Sequence, residues 1–299
     1  MRGMSGSRAC SGFREEKMLD FIKAVIYGII EGITEWLPIS STGHLILAER
    51  FLPFEGTSEN FFNVFDVVIQ LGAIMAVVIL FWNTIWPFAF SKANKTANGG
   101  SVIKKDTFIL WVKMLISCVP AAIIGIALDD FVEEHFYNPL CIAIALIVFG
   151  IAFIVIETLN KGKEPKTKSV FEITFTAALI IGIFQVLAAV FPGTSRSGAT
   201  IIGALMIGIA RTAAAEYTFI LAIPVMFGAS LLKVVKYGLN FQAKELALLA
   251  TGCVVAFAVS MLVIRFLLGF IKKFDFKPFG WYRIALGALV IALFIAKVI

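Results

Sequence analysis

Six long, nearly unbroken apolar runs occupy residues 61–82, 108–128, 139–159, 215–235, 246–269 and 281–297. Each is close to the ~20 residues that cross a ~30 Å hydrocarbon core. Lipid offers a bare backbone no hydrogen bonds, so such a chain must span as helices or as a closed barrel. Barrel strands alternate apolar and polar residues, and these runs do not. Composition agrees: 60% of the residues are apolar, 15% are charged and the mean hydropathy is +0.93. Soluble domains lie nearer half apolar and about a quarter charged.

Two further apolar stretches break early. Residues 21–37 carry Glu31 and Glu35 and stop at Pro38; residues 171–191 stop at Pro192-Gly193. A Ser/Thr-rich segment follows each, then a short apolar piece, 45–52 and 199–210. Irregular backbone at membrane depth is tolerated only where protein or water surrounds it, so both stretches are predicted to be re-entrant helix–loop–helix hairpins. Gly28-x-x-Glu31 and Pro38-Ile39-Ser40-Ser41 align without a gap on Gly182-x-x-Gln185 and Pro192-Gly193-Thr194-Ser195. Three spans follow each hairpin. Three is odd, so the second half is inverted relative to the first, an arrangement that places a site near the bilayer midplane. The predicted fold is all-α and polytopic: six transmembrane helices plus two re-entrant hairpins in an inverted repeat. One membrane domain, 18–299, divides into repeats 18–160 and 161–299. Residues 1–17, small, polar and basic, read as a disordered or artefactual tail, with Met18 as an alternative start.

The net charge of +6 does not point to nucleic acid, because the lysines cluster in short loops. Lys92, Lys95, Lys104 and Lys105, then Lys161, Lys163, Lys166 and Lys168, then Lys272, Lys273, Lys277 and Arg283 all fall on one side. The loop 129–138 on the other side holds Asp129, Asp130, Glu133 and Glu134. The positive-inside rule makes the basic side cytoplasmic; Lys236 and Lys244 dissent mildly. Cys10, Cys118, Cys141 and Cys253 form no CxxC pair and read as small hydrophobes, excluding a disulfide framework or zinc site.

The chemistry concentrates at the two hairpin tips. Glu31 and Glu35, four apart, share a helix face. Each costs roughly 2.5–3.5 kcal/mol at the bilayer centre if unpaired, and two adjacent carboxylates suit a divalent metal such as Mg²⁺, which keeps waters and takes substrate phosphate oxygens. The plainer alternative is two carboxylates lining a water cavity. Ser40, Ser41 and Thr42, taken alone, read as caps for backbone freed at Pro38, and His44 as a hydrogen-bonded interior histidine. Together with the carboxylates they form a nucleophile–base constellation in which the imidazole or a carboxylate takes the hydroxyl proton.

At the second tip, Arg196 sits among Thr194, Ser195, Ser197, Thr200 and two glycines. A guanidinium deep in a membrane needs an anionic partner; its fork matches phosphate oxygens, and a helix starting near Gly198 adds a positive dipole end. The structural alternative is an ion pair from Arg196 to Glu35 or Glu31. Glu216 is a candidate second partner for Arg196, or a helix-start cap. Lys113, Glu157 and Arg265 are expected to snorkel at helix ends, and Asp66 to be structural. Joined, the tips suggest metal-assisted phosphoryl transfer on an anionic lipid.

The run Glu31-x-x-x-Glu35, the Ser40-Ser41-Thr42-Gly43-His44 segment and Pro192-Gly193-x-Ser195-Arg196-Ser197-x-x-Thr200 together resemble the undecaprenyl-diphosphatase family of the bacitracin-resistance type, over essentially Met18 to the C-terminus. The resemblance implies hydrolysis of undecaprenyl diphosphate to the monophosphate and inorganic phosphate, a divalent metal (Mg or Ca) on Glu31 and Glu35, a site open to the outer face of the bacterial plasma membrane, and service to the peptidoglycan lipid carrier. Implied roles are Ser41 as preferred nucleophile with His44 as proton shuttle, or His44 as nucleophile. Arg196 and the hydroxyls Ser40, Thr42, Thr194, Ser195, Ser197 and Thr200 would bind the diphosphate. The implied partners are the polyprenyl diphosphate and membrane lipids; the sequence is compatible with a homo-oligomer without dictating one. A lipid or anion transporter is the rival class, sharing inverted repeats and midplane charge. An intramembrane serine protease is a weaker one, for the chain has no G-x-S-x-G elbow.

Overall fold

The computed structural model describes residues 5–58, 60–90, 100–238 and 240–298, excepting the side chains of 5–17 and of Asp129. The described elements, in order, are α1 (Ser5–Thr34), α2 (Ser41–Phe51), α3 (Phe61–Leu80), the short α4 (Trp82–Ile85), α5 (Lys105–Phe136), α6 (Pro139–Leu159), a 3₁₀ turn (Val170–Glu172), α7 (Phe175–Val190), α8 (Arg196–Met206), α9 (Arg211–Tyr237), α10 (Ala243–Ile271) and α11 (Lys277–Ile295). Six helices, α3, α5, α6, α9, α10 and α11, are long and apolar enough to cross a membrane. The chain is therefore an all-α polytopic membrane protein, as its apolar runs require.

Three boundaries differ from the sequence expectation. Helical backbone begins at Ser5, within the stretch read as a tail; no proline precedes Pro38 and Glu15, Glu16 and Lys17 are good helix formers. Helix α5 runs on to Phe136, so exposed Asp130, Glu133 and Glu134 lie on its last turns rather than in a loop. The Ser/Thr-rich segments are also helical: α2 starts at Ser41 and α8 at Arg196, each capped by the preceding serine. Lys92 and Lys95 lie outside the described residues.

Each hairpin breaks where proline removes a donor and disfavours helix for the residue before it. Helix α1 ends at Thr34, four residues before Pro38, and α7 ends at Val190, two before Pro192. Ser40 and Ser195 then take positive φ, 76° and 69°, and each Oγ accepts a hydrogen bond at 3.3 Å, from Gly43 N and Gly198 N. The matched caps correct the gap-free alignment. Ser40 corresponds to Ser195 rather than to Thr194, and Ser41 corresponds to Arg196, so one residue is inserted between the helix and the cap.

Packing follows a two-fold exchange of the halves. Helix α1 packs on α10 as α7 packs on α5, while α3 meets α9 and α6 meets α11. Without a hydrophobic drive between helices in lipid, close approach depends on small residues. Gly28 and Gly182 occupy matching positions: a Cβ would come within 2.7 Å of Gly252 O at the first and 2.6 Å of Ser117 O at the second. The interior between the halves is filled by Trp36, Phe153, Tyr217, Phe219 and Phe276 among others. At the far end of α1, buried Asp20 pairs with Lys244 at 2.6 Å and Lys23 at 3.3 Å. Lys244, a dissenter from the charge asymmetry, is thus neutralised.

Candidate active site

The two tips meet at Glu35. Ser41, the first residue of α2, donates its Oγ–H to Glu35 Oε2 at 2.7 Å. Arg196, the first residue of α8, donates from Nη2 to Glu35 Oε1 at 2.8 Å. Pseudo-equivalent residues thus grip the two oxygens of one carboxylate. Ser197 Oγ donates to the Glu35 main-chain oxygen at 3.1 Å, fastening the second tip to the first. Arg196 is held in turn by Thr218 O at 3.0 Å, and its Nε has no partner among the described residues.

Glu31, one turn before Glu35, is fully buried, and neither of its carboxylate oxygens has a partner among the described residues. The charges that act on it are Glu35 and Asp66, which repel, and Arg196, which attracts. A pair of buried oxygens left bare is costly and is the arrangement a hard cation would complete. Among the described residues no cluster of three or more His, Cys, Asp or Glu side chains is set to hold a metal. Glu31 and Glu35 alone would leave most positions of a cation such as Mg²⁺ to water and substrate oxygens, and both Glu35 oxygens are engaged by Ser41 and Arg196 here.

The imidazole goes elsewhere than to Ser41. His44 Nδ1 lies 2.6 Å from Ser40 O and must donate to it, so Nε2 accepts from Tyr282 Oη at 2.8 Å. Of the two acceptors the sequence leaves open for the Ser41 proton, the carboxylate is the one in contact. The tip hydroxyls also divide. Ser40 and Ser195 cap their helices, Ser195 lies 3.1 Å from Ser197, and Thr200 donates to Arg196 O at 2.9 Å while accepting from Thr218 at 3.0 Å. Thr194 Oγ1 is buried without a partner, and half-buried Thr42 makes no side-chain hydrogen bond among the described residues.

Glu216 does not partner Arg196; Thr218 does. Arg196 meets α9 at the Thr218 main-chain oxygen, and among the described residues no hydrogen bond or ion pair links it to Glu216. Glu157 does not snorkel either: it is buried, pairs with Arg211 through both oxygens and accepts from Phe276 N. Buried Lys113 likewise stays inside, donating to Phe171 O at 2.9 Å. Asp66, expected to be structural, has an enclosed Oδ1 without a partner.

The sequence reading misses Arg283 by counting it among loop cations. It lies fully buried on α11 and donates to Pro38 O at 3.2 Å, Gly193 O at 3.0 Å, Thr194 O at 2.7 Å and Leu146 O at 3.4 Å. One guanidinium thus clamps the carbonyls of both tips. Its charge two residues into the apolar 281–297 run, whose other charge is the terminal Lys297, was the available signal. A cavity of about 570 Å³ lies against α2 and is lined by Gly43, Glu49, Arg50, Pro53, Pro139 and Val290 among others. Pro139 in its wall lies three residues past the C-terminal end of α5, which carries the acidic residues.

Fold and site together define a polytopic helical membrane protein with a buried carboxylate, guanidinium and hydroxyl centre shared by two hairpin tips. The chain belongs to the bacitracin resistance protein BacA family, whose family model matches residues 24–289. It is 57% identical over 277 residues to undecaprenyl-diphosphatase 1 of Clostridium acetobutylicum, covering 93% of this chain and 98% of that protein. It is 54% identical over 282 residues to the undecaprenyl-diphosphatase of Desulfitobacterium hafniense, covering 94% and 99%. With an undecaprenyl-diphosphatase of Enterococcus faecalis it shares 55% over 278 residues, covering 92% and 98%.

Proposed function

We propose that this protein hydrolyses undecaprenyl diphosphate to undecaprenyl phosphate and inorganic phosphate, returning the lipid carrier to peptidoglycan and cell-wall polymer synthesis. The observation that carries the reading is the Glu35 carboxylate gripped by Ser41 and Arg196 beside the bare Glu31. A transporter needs no hydroxyl hydrogen-bonded to a carboxylate. The relatives named undecaprenyl-diphosphatase support the same choice.

In this reading Ser41 Oγ attacks the terminal phosphorus and passes its proton to Glu35 Oε2. The bond from that phosphorus to the bridging oxygen breaks, and the lipid leaves as its monophosphate. Water then attacks the phosphoserine, releasing inorganic phosphate and restoring the Ser41 hydroxyl. Arg196, freed from Glu35 by the incoming diphosphate, stabilises the charge on the phosphoryl oxygens. Thr42 and Thr194, the hydroxyls without protein partners, bind the diphosphate; His44, with its Nε2 lone pair against Tyr282, remains the alternative nucleophile. Glu31 and Glu35 would hold a divalent ion, Mg or Ca, which neutralises diphosphate charge when bound.

The hairpins are re-entrant in this reading, and the protein sits in the bacterial plasma membrane with its site open to the outer face. Support comes from the acidic end of α5 beside the 570 Å³ cavity and the lysine-rich loops at the opposite end. The test is phosphate release from a polyprenyl diphosphate by purified protein. Release that stops with chelator and returns with Mg²⁺ or Ca²⁺ is expected. No release, with the lipid moved intact between leaflets, would favour a transporter instead.

A further inference from the structure

A second cavity, of about 770 Å³, lies at the opposite end of the molecule, between the α6–α7 loop and the α8–α9 turn. Its lining corresponds in part to that of the first. The offset that carries Ser40 onto Ser195 carries Arg50 and Pro53, which line the first, onto Leu205 and Gly208, which line the second. Its walls are built. Lys166 N donates to Gly208 O and Ala210 N to Thr167 O, both at 2.8 Å, and Asn160 Nδ2 donates to Leu205 O at 2.9 Å.

The lining charge is lopsided. Lys161, Lys163, Lys166, Lys272 and Arg211 face it against Glu157 and Glu164. Both carboxylates are engaged, Glu157 by Arg211 and Glu164 by Lys168 at 3.4 Å. The four lining lysines make no ion pair among the described residues, and Arg211 uses Nε and Nη2 on Glu157, leaving Nη1 without a partner among them. Orienting a membrane protein requires lysines on this face, but not gathered around one walled cavity. Met206 in the lining and neighbouring Leu159 are exposed, 56% and 58%, and offer an apolar rim.

We propose that this cavity binds the phosphodiester headgroup of an acidic phospholipid, with the acyl chains lying along Met206 and Leu159. The lysines neutralise the phosphate and the unpartnered Arg211 Nη1 supplies a directional donor. A free phosphate ion would satisfy the charge but would gain nothing from the apolar rim.

The test is native mass spectrometry of the full-length protein in detergent with mixed phosphatidylglycerol and phosphatidylcholine, counting retained lipid. Two triple variants are compared: Lys161→Gln/Lys163→Gln/Lys166→Gln, in the cavity, and Lys104→Gln/Lys105→Gln/Lys273→Gln, on the same face outside it. Wild type retains phosphatidylglycerol in preference. The cavity variant loses that preference by at least roughly tenfold, since each lysine near an anionic headgroup contributes a factor of about five. The second variant keeps it. An unchanged cavity variant, equal losses in both variants, or release of the lipid by inorganic phosphate would overturn the proposal.

Discussion

Glu35 is where the two halves converge, and its neighbours separate turnover from stability. Arg196 is partly exposed and its Nε has no partner among the described residues; in the proposed reading it works on developing charge. Arg196→Ala is expected to lower kcat by about 10²–10³ with little change in melting temperature, and Arg196→Lys, lacking the fork, to recover only part. Arg283 presents the opposite case: its contacts are four backbone carbonyls on buried segments. Arg283→Leu strands those acceptors and should cost roughly 3 kcal/mol or more, read as a lower melting temperature in detergent. If Arg196→Ala melts early and turns over normally, it is a structural ion-pair partner and no phosphate ligand. The two carboxylates, Ser41 and Arg196 were legible because charge inside an apolar chain is conspicuous. The capping work of Ser40, Ser195 and Thr200 was not, since a hydroxyl aimed at a ligand and one aimed at a backbone group look alike in sequence. Arg283 was hidden by its neighbours Lys272, Lys273 and Lys277, which made it look like one more loop cation.

The elements that hold the site are two short helices propped on two long ones, and their spacing is set at glycines. Gly182 on α7 would put a Cβ 2.6 Å from Ser117 O on α5, whereas Gly125, on the same helix pair, would put one 3.9 Å from Ala189 Cβ. Gly182→Val should therefore push α7 off α5, lower the melting temperature and displace Arg196; Gly125→Ala should leave both stability and turnover near wild type. Equal tolerance of the two, in melting and turnover on the same samples, would mean that α7 is not seated as described. Span existence was readable from hydropathy, because an apolar run of about twenty residues has one use in lipid. The start of α2 was not, because Ser41-Thr42-Gly43 carries no apolar periodicity and resembles a loop; the helix expected near Gly198 begins two residues earlier, at Arg196. The same ambiguity hid the one-residue insertion that separates the two hairpin tips.

At the scale of the whole molecule, the inverted halves give two cavities at opposite ends, one beside α2 and one beside α8, with the Glu35 centre between them. In the proposed reading the acidic end of α5 faces outside. In a background without the four native cysteines, a cysteine at Glu133 should react with an impermeant reagent on intact cells and one at Lys163 should not; the reverse pattern would invert the orientation. The inverted repeat was visible in the odd number of spans per half, but which surfaces meet was not, since that depends on contacts such as α1 with α10 that no local pattern encodes. The central claim is that Glu35 joins Ser41 and Arg196 in one phosphoryl-transfer centre. Phosphate release from a polyprenyl diphosphate by purified Glu35→Gln, with its melting temperature taken on the same sample, tests it most directly. The substitution keeps the shape and removes the charge and the proton acceptor, so turnover should fall by at least about 10² while the protein stays folded. A folded Glu35→Gln protein that releases phosphate at the wild-type rate would contradict the account.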